Sequence, residues 1–532
     1  MKLTFIGADR EVTGSLHLLE ACGIKVAIDM GMEQGQNPFE NAPMPIKYID
    51  LDYIILTHAH IDHAGMIPLA FKNGFTGTVL CTEATEALAN IMLRDSAYIQ
   101  ESEAEYKSKK ALRAGKKPVE PVYDVNDALV ALENFRSVPY GQAVELADGF
   151  TVKFTDAGHL LGSASAEIRL EENGVQKTIV FSGDIGNYDK PLIRNPQYIK
   201  NADFVVMEST YGDRNHERTT DHIEELTRII QSTLDRGGNV LLPAFAVGRT
   251  QELLYFIRKI KADGLVKGYD NFPVYVDSPL AVEATRVFRE NLLECYDDET
   301  RALVEKGINP IDFSGLKLSV TSDESKAINF DKTPKVIISA SGMCDAGRIR
   351  HHLKHNLWRA ESTVVFAGYQ ANGTLGRVLL DGEKTVKLFG EEITVRAHIE
   401  TMSAMSSHAD QNGLLDWVSA FENDVSRVFL VHGDDDAMKL FAPKVEEKTG
   451  FKTEMPSSGS VFDLAENRWI VETQPIPRTK EAFENKKNTA YEKLVAAYNK
   501  LLSAVRANKD GTNKDLAKFT DQILNLHDKW IR

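Results

Sequence analysis

The chain has 532 residues, of which 43% are hydrophobic and 26% charged, and its formal net charge is −15. That balance fits a soluble globular protein of three or four compact units at about 150 residues each, and it excludes a disordered chain, a collagen-like repeat and a coiled-coil rod. The acidic balance argues against a protein that coats nucleic acid through a basic face.

No stretch approaches the roughly 18 to 20 unbroken apolar residues that cross a bilayer, so no membrane association is expected. Residues 1–7 have too short an apolar part for a signal peptide. Cys22, Cys81, Cys295 and Cys344 are scattered without CxxC spacing. A disulfide framework is not expected, and a cytoplasmic location is.

Short β-rich runs follow one another along the chain at 26–28, 53–56, 78–80, 151–154, 179–181, 204–207, 240–242, 274–276, 335–338, 364–366 and 428–431. Several are apolar without alternation, as in strands covered on both faces, and helical-period segments separate many of them. The pattern predicts α/β layers. Six of these runs deliver an ionisable side chain at or just past their C-terminal end: Asp29, His58, His159, Asp184, Glu208 and His432. A layered sheet points such residues into one crevice. Residues 101–120, rich in Glu and Lys, predict an exposed helix and loop. Residues 477–532 predict a helical hairpin. Tyr491, Leu494, Val495, Tyr498, Leu501, Leu502 and Val505 stripe its first helix and Gly511 stops it. Thr512 or Asn513 caps a second helix striped by Leu516, Phe519, Ile523, Leu526 and Trp530.

The strongest chemical signal is Thr57-His58-Ala59-His60-Ile61-Asp62-His63 directly after a strand. In an extended or turning loop His58 and His60 project to one side, while Asp62 and His63 sit where the next helix begins. Imidazole and carboxylate are ligands that Zn²⁺ favours. One loop is too few ligands for two ions, and His159, Asp184 and His432 at later strand ends complete a set of seven, with one carboxylate bridging. Asp29 reads equally as a turn-forming residue after its strand or as a carboxylate that orients ligands.

The segment Leu56-Thr57-His58-Ala59-His60-Ile61-Asp62-His63-Ala64-Gly65 resembles the signature of the metallo-β-lactamase fold. Ile28-Asp29-Met30-Gly31 is similar to its first motif, His159 to its third and Phe181-Ser182-Gly183-Asp184 to its fourth. The resemblance implies one zinc on His58, His60 and His159, a second on Asp62, His63 and His432, and Asp184 between them. It implies that Asp29 orients ligand histidines rather than binding metal.

The branch of the fold is indicated by further motifs. Glu208-Ser209-Thr210-Tyr211-Gly212-Asp213-Arg214, Ser406-Ser407-His408-Ala409-Asp410 and Leu430-Val431-His432-Gly433-Asp434 resemble motifs A, B and C of the β-CASP nucleases. Between A and B, Pro243-Ala244-Phe245-Ala246-Val247-Gly248-Arg249, Asp277-Ser278-Pro279, Ser341-Gly342-Met343, Gly368-Tyr369-Gln370 and Gly373-Thr374-Leu375-Gly376-Arg377 resemble the β-CASP insert. The likeness covers about residues 1–475 and is nearest to bacterial and archaeal relatives of the endonuclease subunit of the eukaryotic pre-mRNA 3′-end cleavage factor. It implies an α/β fold: a metallo-β-lactamase αββα sandwich (1–206 and 395–476), an inserted β-CASP α/β domain (207–394), then the hairpin (477–532). The chain departs at Asp345-Ala346, where relatives show a Gly pair before the Arg. His398, inside a strand-like run, reads as structural and not as motif B.

The implied activity is zinc-dependent hydrolysis of RNA phosphodiester bonds, with two Zn²⁺ ions activating a hydroxide and His408, held protonated by Glu208, acting as general acid. Single-stranded RNA is the expected partner, and a homodimer through the hairpin stays open beside packing onto the body. Arg249, Ser341, Arg348 and Arg377 are candidates for substrate contacts. The three arginines read equally as phosphate ligands or as partners of carboxylates between domains. His351 and His355, four apart, suit a solvated or RNA-facing helix better than a metal site. A thioesterase or glyoxalase-type hydrolase, a DNA nuclease and a dead RNA-binding scaffold are the competing readings. The insert argues against the first and the complete ligand set against the last.

Overall fold

The computed structural model describes residues 1–35, 37–216, 221–290, 294–371, 373–402, 405–478 and 513–530. Met1–Pro475 form one compact unit and Ile476–Arg532 a second.

Two large sheets lie at the centre of the first unit. One is eight-stranded, in the order Arg468–Val471, Val461–Asp463, Lys2–Gly7, Leu16–Ala21, Ile24–Ile28, Tyr53–Ile55, Thr78–Cys81, Phe135–Ser137. The other is seven-stranded, in the order Thr453–Glu454, Arg427–Val431, Phe204–Glu208, Val175–Phe181, Ala164–Glu172, Phe150–Asp156, Ala143–Ala147. What covers these strands explains their unbroken apolar runs. Phe204 and Val206 join Phe5, Phe150, Phe154, Phe181 and Phe429 in the core shared by strands of both sheets. Val205 and Met207, one residue out of phase, pack instead with Leu414, Trp417 and Phe441 from helices Gln411–Val418 and Asp435–Thr449. Side chains alternate with period two, so a strand buried on both faces needs no polar alternation. On the far side, Ala27, Ile54 and Val79 pack with Ile67, Leu88 and Leu93 of helices Ile67–Lys72 and Glu83–Arg113. The layers are helix, sheet, sheet, helix, the expected αββα sandwich.

After Glu208 the chain builds a third sheet of six strands, Leu316–Ser319, Val274–Asp277, Val336–Ser339, Val240–Pro243, Thr363–Phe366 and His398–Thr401. Every pairing in it is parallel. Leu242, Val276 and Ile338 pack with Leu253, Ile257 and Val282, while Leu241, Val364 and Phe366 pack with Ile349, Leu353 and Leu379. Helices therefore cover both faces, as parallel sheets require. His398 is exposed within the edge strand, as its strand-like surroundings suggested. That strand pairs with Thr363–Phe366, so the inserted sheet extends to Thr401, beyond the expected limit at 394. An edge strand with three of its four residues polar carries no sequence mark of which sheet it joins.

The long helix Glu83–Arg113 begins at Thr82, whose side chain accepts from the Thr85 N–H, and its last turns carry the exposed ion pairs Glu103–Lys107 and Glu105–Lys109. In the second unit, the helix Asn513–Trp530 matches the later arm of the expected hairpin. The expected helix over 491–505 lies outside the described residues.

Candidate metal centre and active site

The strand ends converge in the structure. Ile24–Ile28, Tyr53–Ile55 and Thr78–Cys81 pair in parallel in one sheet, and Val175–Phe181, Phe204–Glu208 and Arg427–Val431 in the other. Parallel pairing puts their C-terminal ends on one rim. The His58–His63 loop is clasped there by backbone: Met30 N–H donates to the His63 carbonyl (2.7 Å) and Ser15 N–H to that of Asp62 (2.8 Å). A Cβ at Gly31 would stand 1.6 Å from the Asp62 carbonyl oxygen, so only glycine lets the two loops meet.

Two groups of donor atoms form, each with its ligand atoms within 4.8 Å of one another: His58, His60, His159 and Asp184, and Asp62, His63 and His432. Asp184 reaches both. Its Oδ2 lies 3.4 Å from His58 Nε2 and 3.5 Å from His159 Nε2; its Oδ1 lies 3.2 Å from His63 Nε2 and 3.6 Å from His432 Nδ1. Nitrogens face nitrogens at 3.0 Å (His58 Nε2 to His60 Nδ1) and 3.2 Å (His63 Nε2 to His432 Nε2). Asp184 Oδ1 is buried without a hydrogen-bond partner. Lone pairs aimed at a common point from buried imidazoles and carboxylates are what a divalent cation satisfies, and the donor set of histidine and aspartate suits zinc.

Electrostatics divide the histidines. Burial pushes His58 below the ordinary imidazole value, His60 down to about 3 and His159 well down, which keeps them neutral and able to ligate. Burial also opposes charge on His63, but the carboxylates of Asp184 and Asp29 outweigh it and raise it well above the ordinary value. Asp29, buried at the end of its strand, accepts from Thr57 N–H (2.8 Å), from Thr57 Oγ1 (2.9 Å) and from His63 Nδ1 (2.7 Å). All its contacts are to protein groups that carry or orient the ligands.

A third group joins Asp184 to Glu208 and His408. His408 Nδ1 lies 3.2 Å from each Glu208 oxygen, and Glu208, 1% exposed, also accepts from the Ile185 N–H (2.5 Å). Burial works against a charged His408, yet Glu208 and Asp184 raise it to about 9. Three partners here were not singled out by sequence: Lys190 donates to the His159 carbonyl (2.6 Å), His216 Nε2 contacts the His408 carbonyl (3.0 Å), and Thr210 Oγ1 meets His432 Nδ1 (3.2 Å). Thr210 lies inside motif A and was within reach of the sequence. Nothing in the sequence marks Lys190 or His216.

The other candidates lie in the inserted lobe. Arg249 starts the helix Arg249–Ala262, pairs with Glu252 (2.6 Å) and lines a cleft of about 610 Å³ shared by Tyr188, Lys190, Phe256 and Ser406. Arg348 is committed to Asp277 (2.8 Å) and to the Val320 carbonyl (2.5 Å). Arg377 pairs with Asp381 (2.7 Å) and stays 43% exposed. Ser341 is half-buried just past Val336–Ser339. Asp345, the departure from the family pattern, accepts from the Leu375 N–H (3.0 Å), tying its loop to the helix Leu375–Leu380. His351 stacks on Phe389 (4.3 Å) and His355 meets Phe330 (6.0 Å); neither joins a possible metal group among the described residues.

Fold and site together define a metal-dependent hydrolase of the metallo-β-lactamase superfamily carrying an inserted parallel lobe. Family models agree: the metallo-beta-lactamase superfamily domain matches residues 18–186, the Beta-Casp domain 250–379, and the Zn-dependent metallo-hydrolase RNA specificity domain 392–456. The chain is 36% identical over 454 residues to Ribonuclease TTHA0252 of Thermus thermophilus, covering 84% of this chain and 97% of that one. It is 30% identical over 466 residues to Transcription termination factor FttA of Methanosarcina mazei, and 29% over 470 residues to FttA of Methanocaldococcus jannaschii; these cover 85% and 86% of this chain and 70% of each relative. The chain belongs to the β-CASP family of metal-dependent ribonucleases.

Proposed function

We propose that the protein hydrolyses phosphodiester bonds of single-stranded RNA at a two-zinc centre, with His58, His60, His159 and Asp184 on one ion and Asp62, His63, His432 and Asp184 on the other. The observation that carries this reading is the double contact of His408 Nδ1 with Glu208 beside Asp184. Bound zinc would supply Lewis acidity to the phosphoryl oxygens and acidity to the attacking water. Glu208 fixes the His408 ring through Nδ1 and keeps it protonated, leaving Nε2 for the substrate. As water adds to phosphorus, releasing one proton to solvent, the P–O3′ bond breaks, His408 gives its proton to the departing 3′-oxygen, and the phosphate stays on the 5′ end of the downstream fragment. Asp29 holds His63 and Thr57 in place. Two lobes around a cleft suit a polymer better than a small thioester.

The test is zinc quantification on purified protein, then incubation with 5′-labelled single-stranded RNA and DNA. Two zinc ions per chain and RNA cleavage are expected. A protein without metal and without cleavage would overturn the reading, and DNA cut as fast as RNA would overturn the choice of substrate. Product lengths separate internal cutting from removal of 5′ nucleotides.

A further inference from the structure

The inserted sheet ends in aromatic side chains that its own core does not use. Val240–Pro243 lies between Val336–Ser339 and Thr363–Phe366, all parallel, so the loops after these strands share one end of the sheet. The first carries Phe245, 54% exposed; the third carries Tyr369, 60% exposed. The middle of the group is Gly342, on the loop after Val336–Ser339. A Cβ there would lie 3.2 Å from Phe245 Cδ2, and the Gly342 carbonyl accepts from Gln370 Nε2 (3.0 Å), the neighbour of Tyr369. Phe245 and the Tyr369 loop are thus braced against one glycine, and the Gly376 N–H, next to Arg377, holds the adjoining Met343 carbonyl (3.0 Å).

This end of the lobe is continuous with the metal centre. Three residues after Phe245, a Cβ at Gly248 would stand 3.3 Å from Leu160, which follows His159 directly. Arg249 and Ser406 line one cleft, and Ser406 is two residues from His408. An exposed aromatic pair, fixed by backbone and next to a site for phosphodiesters, fits unstacked bases: every base offers a flat face, so stacking serves without reading sequence.

We infer that Phe245 and Tyr369 form a stacking platform for the bases of single-stranded RNA that flank the scissile phosphate, a role that rests on the RNA-hydrolase reading. The platform holds the strand while the metal centre and His408 act on its backbone, and it disfavours duplexes, whose bases are already stacked.

The test measures binding of a fluorescent single-stranded oligoribonucleotide, intact or carrying abasic residues around its cleavage site, to the zinc-loaded protein at one salt concentration. Phe245→Ala and Tyr369→Ala should each weaken binding of the intact strand about 5- to 150-fold, the range of one stacked base. The abasic strand should bind the unaltered protein more weakly by a similar factor and lose little more on either substitution. Phe245→Tyr should restore the flat face and the affinity; Phe245→Leu, which keeps bulk but not flatness, should not. Phe245→Leu binding as the unaltered protein does, or losses that simply add between abasic strand and substitution, would overturn the platform. RNA that binds in this pattern but is never cut would overturn the hydrolase reading and leave the platform standing.

Discussion

Asp29 shows how much one buried carboxylate can organise. Its two oxygens accept from Thr57 twice and from His63 once, at 2.7 to 2.9 Å. Asp29→Ala should strand these donors, costing about 1–3 kcal/mol for each left unpaired. Zinc affinity should fall about 10- to 100-fold, because His63 loses the contact that sets its tautomer. Competition with a zinc-binding dye checks the second effect, and unchanged affinity would remove Asp29 from the site. His408 predicts the opposite split. His408→Ala should keep its zinc and lose about 10²- to 10⁴-fold in cleavage, the range of a general acid. Loss of zinc from that variant would make His408 a ligand instead.

At the scale of elements, the inserted lobe is locked by Asp277 at the end of Val274–Asp277. Its side chain is fully buried and bonded to Arg348 (2.8 Å), Ser325 (2.5 Å) and His352 (2.6 Å). Burial opposes its charge, but the bonds from His352 and Ser325 win and hold it down at about 2, against an ordinary 3.8. The depressed value means that Asp277 contributes stability above pH 3.8 and loses it as pH falls from there towards 2, about 2 kcal/mol in all. Asp277→Asn should therefore be the less stable protein at pH 6, with the gap to the parent narrowing below pH 4 in denaturant titrations. A gap constant with pH would deny the carboxylate this role. The same network accounts for Arg348, whose Gly-flanked position fitted phosphate binding and carboxylate pairing equally well. Its carboxylate partner comes from a strand seventy-one residues away, a distance over which spacing carries no information.

Across the whole molecule, charge is uneven. Residues 478–532 hold 12 Lys and Arg against 7 Asp and Glu, so the rest of the chain carries −20. Part of that acidity sits at the candidate metal centre, as Asp62, Asp184 and Glu208, where a bound dication would reverse its sign locally. Chelation should therefore lower the melting temperature: a cation present at about 100 times its Kd contributes about 2.7 kcal/mol to the folded state. Thermal unfolding with chelator, and again after zinc is restored, measures this; identical melting curves would argue against a buried dication. No helix among the described residues is long and apolar enough to cross a membrane.

The resemblance of the motifs to those of the β-CASP nucleases implied the sandwich and the inserted lobe, while the residues themselves determined the α/β layers and the ionisable side chains at the strand ends. The latter two are written locally: apolar runs without alternation mark strands covered on both faces, and an ionisable residue at a strand end points where the sheet points it. Tertiary structure alone decided that His398–Thr401 joins the third sheet, that Lys190 and His216 brace the backbone of two site histidines, and that the loops carrying Phe245 and Tyr369 share one end of a parallel sheet. Those outcomes depend on which strands become neighbours. Strand order is set by the packing of whole layers, which no window of sequence contains.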